Sequence, residues 1–117
     1  MSKKIYISGK MGEKVLSKET KRKFMLAYID IMEKHKDALI VNPASEMLQK
    51  AVMDFCEKDS TINDDYKKAL LYDMTAICRC DAIYMLRDWK DSPGATAEYY
   101  FAKAIGIEIL FEDESNS

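Results

Sequence analysis

The sequence predicts a three-layer α/β domain built on a parallel sheet. Short apolar runs alternate with amphipathic helical stretches in the order β-α-β-(α-α)-β-α-β. One run, AIYML at 82–86, is apolar at every position, as suits a parallel strand covered on both faces. Cap and stop residues sit where that order needs boundaries. Right-handed crossovers then give four strands in the order 2-1-3-4 with helices on both faces.

Each element has its own warrant. KKIYIS at 3–8 is a strand, ended by the loop SGKMG with glycines at 9 and 12. Residues 17–36 form a helix: Phe24, Tyr28, Ile31 and Met32 recur at helical spacing, and Ser17 offers a cap. ALIV at 38–41 is a second strand, stopped by Asn42-Pro43. Residues 45–57 are a helix with Met47, Leu48, Ala51, Val52 and Phe55 on one side. A polar linker follows, and Asn63 or Asp64 can cap a third helix at 64–79. That helix sets Tyr66, Leu70, Met74 and Ile77 on one face. After the 82–86 strand, Ser92-Pro93 is a cap followed by proline at the first helical position. The last helix turns Ala97, Phe101, Ala104 and Ile105 inward and stops at Gly106. IEILF at 107–111 is the fourth strand, and 113–117 belong to a solvated acidic tail.

The whole chain, 1–117, reads as one domain, long enough to bury a core without staples. Hydrophobic residues make up 48% and charged residues 32%, the balance of a soluble globular protein. A net charge of -2 gives no reason to expect a nucleic-acid polymer or an anionic membrane as partner. No apolar run approaches the roughly 20 residues that span a bilayer. The N-terminus is too short in apolar residues for a signal-peptide core, so the expected location is cytoplasmic. The three cysteines, Cys56, Cys78 and Cys80, have no zinc-site spacing and fit reduced thiols. The single histidine, His35, suits a helix C-terminus and cannot build a triad or a metal site. No metal and no cofactor are expected. Any acid-base chemistry must rest on carboxylates, tyrosines or lysines.

In open parallel sheets, ligands bind beyond the carboxyl ends of the strands, where the strand order reverses. That edge carries 8–12 after strand one, Asn42-Pro43 after strand two and 87–94 after strand three. Two carboxylates are out of place near it. Asp73 lies between Leu70, Met74 and Ile77, where an unpaired carboxylate costs several kcal/mol and needs a partner or a task. A buried cap or structural hydrogen bond is the plain alternative. Glu98 sits on the second turn of the helix that starts at Ser92, partly turned toward the core. Favourable charge near a helix N-terminus explains an acid in the first turn better than one there. SGKMG is neither a P-loop nor a dinucleotide fingerprint. It is equally a plain loop or a set of amides able to hold phosphate. Trp89 could stack on a base or simply pack on the neighbouring helix. The eight methionines read as core filler.

Together the segments IYISGKMGE, VNPA, YDMTAICRCDAIYMLRDWKDSPGATAE and IGIEILFE resemble the DUF4406 family. That family is placed in the nucleoside 2-deoxyribosyltransferase-like superfamily. The resemblance runs from Ile5 to Glu112 and implies a flavodoxin-like sheet. It also implies a glutamate that attacks the anomeric carbon of a ribose, in a G-x-x-x-E segment matched here by Gly94 and Glu98. The superfamily aspartate lies eight residues before a Cys-Asp or Ala-Asp pair, the spacing of Asp73 and Asp81, and a strand-one tyrosine matches Tyr6. Six residues before the glutamate, transferases tend to carry Asp and monophosphate hydrolases Ser. This chain has Ser92 there, at a helix start that suits an anion. Its first loop lacks the arginine of the hydrolases, with Lys10 the nearest positive charge, and the fifth strand and last helix of relatives have no counterpart.

The resemblance thus implies a nucleotide or nucleoside N-glycosidase with Glu98 as nucleophile, Asp73 on the sugar or a proton, and Tyr6 positioning Glu98. Ser8, Gly9, Lys10, Asn42, Trp89, Ser92 and Gly94 would hold the substrate. The alternatives are a deoxyribosyltransferase and a non-catalytic nucleotide-binding module. Relatives imply a homodimer or a higher homo-oligomer whose pockets a neighbour completes.

Overall fold

A computed structural model describes residues 2–11, 16–58 and 61–112. Gly12 and the acidic tail 113–117 lie outside the described residues. The elements are β1 (Lys4–Ser8), α1 (Lys18–Lys34), β2 (Leu39–Val41), α2 (Glu46–Lys58), α3 (Asp65–Cys78), β3 (Ala82–Met85), α4 (Pro93–Ile105) and β4 (Glu108–Phe111). A 3₁₀ turn at Trp89–Asp91, absent from the sequence expectation, joins β3 to α4. The sheet is parallel, in the order β2-β1-β3-β4. Its register sets Ser8 beside Met85 and Met85 beside Phe111.

The period-two alternation of β1 divides the core. Ile5 and Ile7 pack on α1 through Phe24, Ala27 and Ile31. Tyr6 points to the opposite face, where Ile77 of α3 and Ala102 of α4 cover Ile83 and Met85. Burying a side chain such as Phe24 or Ile31 contributes about 1.5–3 kcal/mol.

The helix ends follow local chemistry. The Ser17 hydroxyl accepts from the Thr20 amide at 3.1 Å, and the Asp64 carboxylate accepts from Lys67 at 3.1 Å. The Ser92 hydroxyl accepts from the Ala95 amide at 3.1 Å, with Pro93 next in the first turn. His35 closes α1, its amide donating to the Ile31 carbonyl at 2.7 Å. Gly106 ends α4 at φ 81°, a left-handed conformation that costs glycine little.

Three helix faces differ from the periodicity. On α1, Tyr28 and Met32 are exposed, and Ala27 takes the inward place between Phe24 and Ile31. The helix carries two apolar stripes, and only one can face the sheet. On α4 the inward residues are Ala95, Glu98 and Ala102, whereas Ile105 is 41% exposed. Small alanines let that helix lie close to the strands. On α3, Tyr66 is 60% exposed while Lys68 is buried, its ammonium donating to the Cys56 carbonyl at 2.7 Å. That bond ties α3 to the end of α2. α2 itself buries no residue fully and packs on α3, with Phe55 and Tyr72 5.6 Å apart.

Candidate active site

β1 enters the sheet centre and delivers two hydroxyls to one face, Tyr6 and Ser8, two residues apart. Both are buried to 1% exposure. Facing them, the second turn of α4 delivers Glu98, 6% exposed. The Ser8 hydroxyl donates to Glu98 Oε1 at 2.6 Å, and the Tyr6 hydroxyl donates to Oε2 at 3.2 Å. Each carboxylate oxygen is therefore held by a different side chain of one strand. α3 brings the half-buried Asp73 near enough for the two carboxyls to act on each other electrostatically.

The electrostatics follow from burial. Desolvation raises Glu98 from 4.5 to about 8, and the neighbouring Asp73 charge adds to it, while the Ser8 and Tyr6 bonds pull the other way. Desolvation likewise raises Asp73 from 3.8 to about 7, partly opposed by the neighbouring Glu98 and Tyr6 side chains. Tyr6 is held well above its ordinary value by burial and then by the two carboxyls, so its phenol remains a donor. Two like charges in one dry site cannot both form easily, so the pair retains a proton near neutrality.

Of the residues predicted from sequence, Glu98, Asp73, Tyr6 and Ser8 converge. The others stand around or beyond that cluster, several with their polar atoms engaged in local structure. The Ser92 hydroxyl caps α4. The Asn42 carboxamide accepts from the Ala44 amide at 3.0 Å, forming the turn after β2. Trp89 stacks on Tyr99, centroids 4.4 Å apart, and packs near Phe111. At Gly9 the Leu86 side chain lies against the backbone: a Cβ there would lie 2.5 Å from Leu86 Cδ1 and 2.9 Å from Leu86 Cβ. At Gly94 a Cβ would lie 3.4 Å from the Tyr66 hydroxyl and 3.8 Å from Ser92 Oγ. Tyr66 thus stands over the start of α4.

A clamp that the sequence reading missed fixes the loop after β1. The Lys10 amide donates to Asp88 Oδ1 at 3.0 Å, and Lys23 Nζ bridges Asp88 Oδ2 at 2.5 Å and the Lys10 carbonyl at 2.7 Å. Asp88 looked like one acid among several in RDWKD. Its partners lie far away in sequence, so no local pattern marked it. Asp81 likewise accepts from the Lys4 amide at 2.9 Å, anchoring the other end of β1.

Among the described residues, no group of three or more His, Cys, Asp or Glu is arranged to hold a metal. None of their helices is long and apolar enough to cross a membrane. Cys56, Cys78 and Cys80 are unbridged thiols. A family model described as a domain of unknown function, DUF4406, matches residues 3–111. No curated protein matches the chain.

Proposed function

The chain belongs to the DUF4406 family, and from its paired carboxylates we propose that it is a nucleotide or nucleoside N-glycosidase with Glu98 as nucleophile. The observation that carries this reading is one buried glutamate held by two hydroxyls, with an aspartate acting on its charge, behind the carboxyl end of a central strand. The resemblance to the nucleoside 2-deoxyribosyltransferase-like superfamily supports it.

In the proposed reaction a Glu98 oxygen bonds to C1' as the bond from C1' to the base nitrogen breaks. The electron pair leaves with the base, which takes a proton from solvent. Water then attacks C1', the ester bond returns its electrons to Glu98, and the water's second proton is released. This is the two-step course of a retaining glycosidase. In retaining enzymes the acid and the nucleophile stand about 5–5.5 Å apart, on either side of the scissile bond. We give Asp73 a place beside Glu98, where it orients the sugar and holds the pair's proton. The start of α4, at Gly94 behind the Ser92 cap, is the helix N-terminus that would receive a 5'-phosphate. A nucleotide substrate and unbridged thiols fit a cytoplasmic setting.

The second reading is a binding module: burial and the neighbouring Asp73 hold Glu98 well above the usual carboxylate range, which disfavours the ionised form a nucleophile needs. The N-glycosidase reading requires activity to rise with pH above that range. The decisive experiment is a panel of nucleosides and 5'-monophosphates, with and without a free acceptor base, for wild type and Glu98→Gln. The expected result is free base from at least one compound, lost by about 100-fold or more in the variant. Products appearing only with an acceptor base mark a transferase. Thermal stabilisation by a nucleotide that survives intact marks the binding module, and equal cleavage by both proteins removes Glu98 from the chemistry.

We also read the chain as a homodimer formed through α1. Its outer stripe exposes Met25 (51%), Leu26 (54%) and Ile29 (47%), with Arg22 before it and Glu33 after it. A second copy packed antiparallel on this stripe sets Arg22 of each chain against Glu33 of the other.

A further inference from the structure

The Ser8 hydroxyl, expected from sequence to meet substrate, is spent on the glutamate. It is 1% exposed, faces α4, and makes the shorter of the two hydroxyl contacts, 2.6 Å against 3.2 Å for Tyr6. A donor at 2.6 Å on an ionised carboxylate is a charge-assisted bond, roughly twice as strong as a neutral one. It draws electron density from Oε1 and fixes the rotation of the carboxylate. Oε2, with the longer contact, keeps more of its basicity.

Resting on the N-glycosidase reading, we propose that Ser8 is a positioning residue that holds Glu98 Oε1 and so presents Oε2 to the anomeric carbon. When Oε2 bonds to C1' and the bond to the base breaks, Oε1 becomes the carbonyl oxygen of the ester, and the Ser8 hydroxyl remains on it. When water attacks C1', the electrons of the ester bond return to Oε2 and the charge spreads back over both oxygens. A donor fixed on Oε1 stabilises the carboxylate at both ends of the cycle. The titratable groups facing Glu98 are Tyr6 from β1 and Asp73 from α3. Ser8 donates to Glu98 and does not ionise, so its removal leaves the charges of the site unchanged.

The test compares wild type, Ser8→Ala and Ser8→Thr in two measurements. The first needs no turnover: carbon NMR of the Glu98 carboxyl, assigned with Glu98→Gln, followed against pH. Ser8→Ala is expected to raise the midpoint by about one unit, because a hydrogen bond to the charged form is lost, and Ser8→Thr to restore it. The second is kinetic. Ser8→Ala is expected to lower kcat by about 10- to 100-fold, with KM nearly unchanged and the acidic limb of the pH profile moved up. In a crystal structure of the glycosyl-enzyme trapped with a 2'-fluorinated nucleotide, the carbonyl oxygen of the ester is expected to lie on the Ser8 hydroxyl. An unchanged Glu98 midpoint in Ser8→Ala overturns the proposal, as does a Ser8 hydroxyl found on the bridging oxygen of the ester, or a rise in KM alone. If wild type cleaves nothing, the N-glycosidase reading and the attacking role of Oε2 fall together. The carboxyl titration then decides whether Ser8 holds Glu98.

Discussion

Asp73 on α3 and Glu98 on α4 stand close enough to disturb each other's ionisation, although 25 residues of chain separate them. Both are raised by burial first, so the fold itself disfavours their ionisation. The cost is tolerated at the point where a carboxylate has hydroxyl partners from the central strand.

Stability should therefore fall with rising pH. A group whose folded value exceeds its unfolded one contributes fully below the unfolded value and loses that contribution as pH passes the folded one. Here the window runs from about pH 4 to about pH 8. Glu98→Gln removes the penalty without changing shape. At pH 8 its Tm should exceed that of wild type by about 5–10 °C, a gain of a few kcal/mol. Near pH 4 the difference should nearly vanish. Calorimetry of both proteins across this range checks it, and a variant less stable than wild type at pH 8 contradicts the assigned cost.

Gly9→Ala should destabilise the fold by about 1–3 kcal/mol. The added methyl meets not only the mobile end of Leu86 but its Cβ at 2.9 Å, so β1 or the segment after β3 must shift. Urea unfolding measures the loss. A midpoint equal to wild type is incompatible with the close approach.

Self-association through α1 makes a charge-reversal prediction. Ile29→Glu, at a position already 47% exposed, should leave the monomer folded and convert the dimer to monomer in sedimentation. Arg22→Glu should weaken the dimer, and the double change Arg22→Glu with Glu33→Arg should restore it. A monomeric wild type at micromolar concentration ends the proposal.

The strands were legible because their chemistry is local. The 82–86 run announced a doubly covered strand, observed at Ala82–Met85, and the sheet order followed from the handedness of crossovers. Capping residues set helix starts to within a residue or so, as Ser17, Asp64 and Ser92 illustrate. Helix faces were less legible. α1 has apolar residues on two sides, and periodicity alone cannot choose between the Phe24-Ala27-Ile31 stripe and the one through Met25 and Ile29.

By itself, the sequence determined the element order, the parallel sheet and the oddity of two carboxylates near its ligand edge. Those properties depend on neighbours within a few residues: alternation, caps, and charge on an apolar face. Only the tertiary structure decided what each polar group does. It spent Ser92 and Asn42 on caps and turns, stacked Trp89 on Tyr99, clamped Lys10 with Asp88 and Lys23, and gave the Ser8 hydroxyl to Glu98. The physical reason is that a hydrogen bond is settled by distance and direction between groups far apart in the chain. Burial, which the folded packing alone creates, then fixes how much such a bond matters.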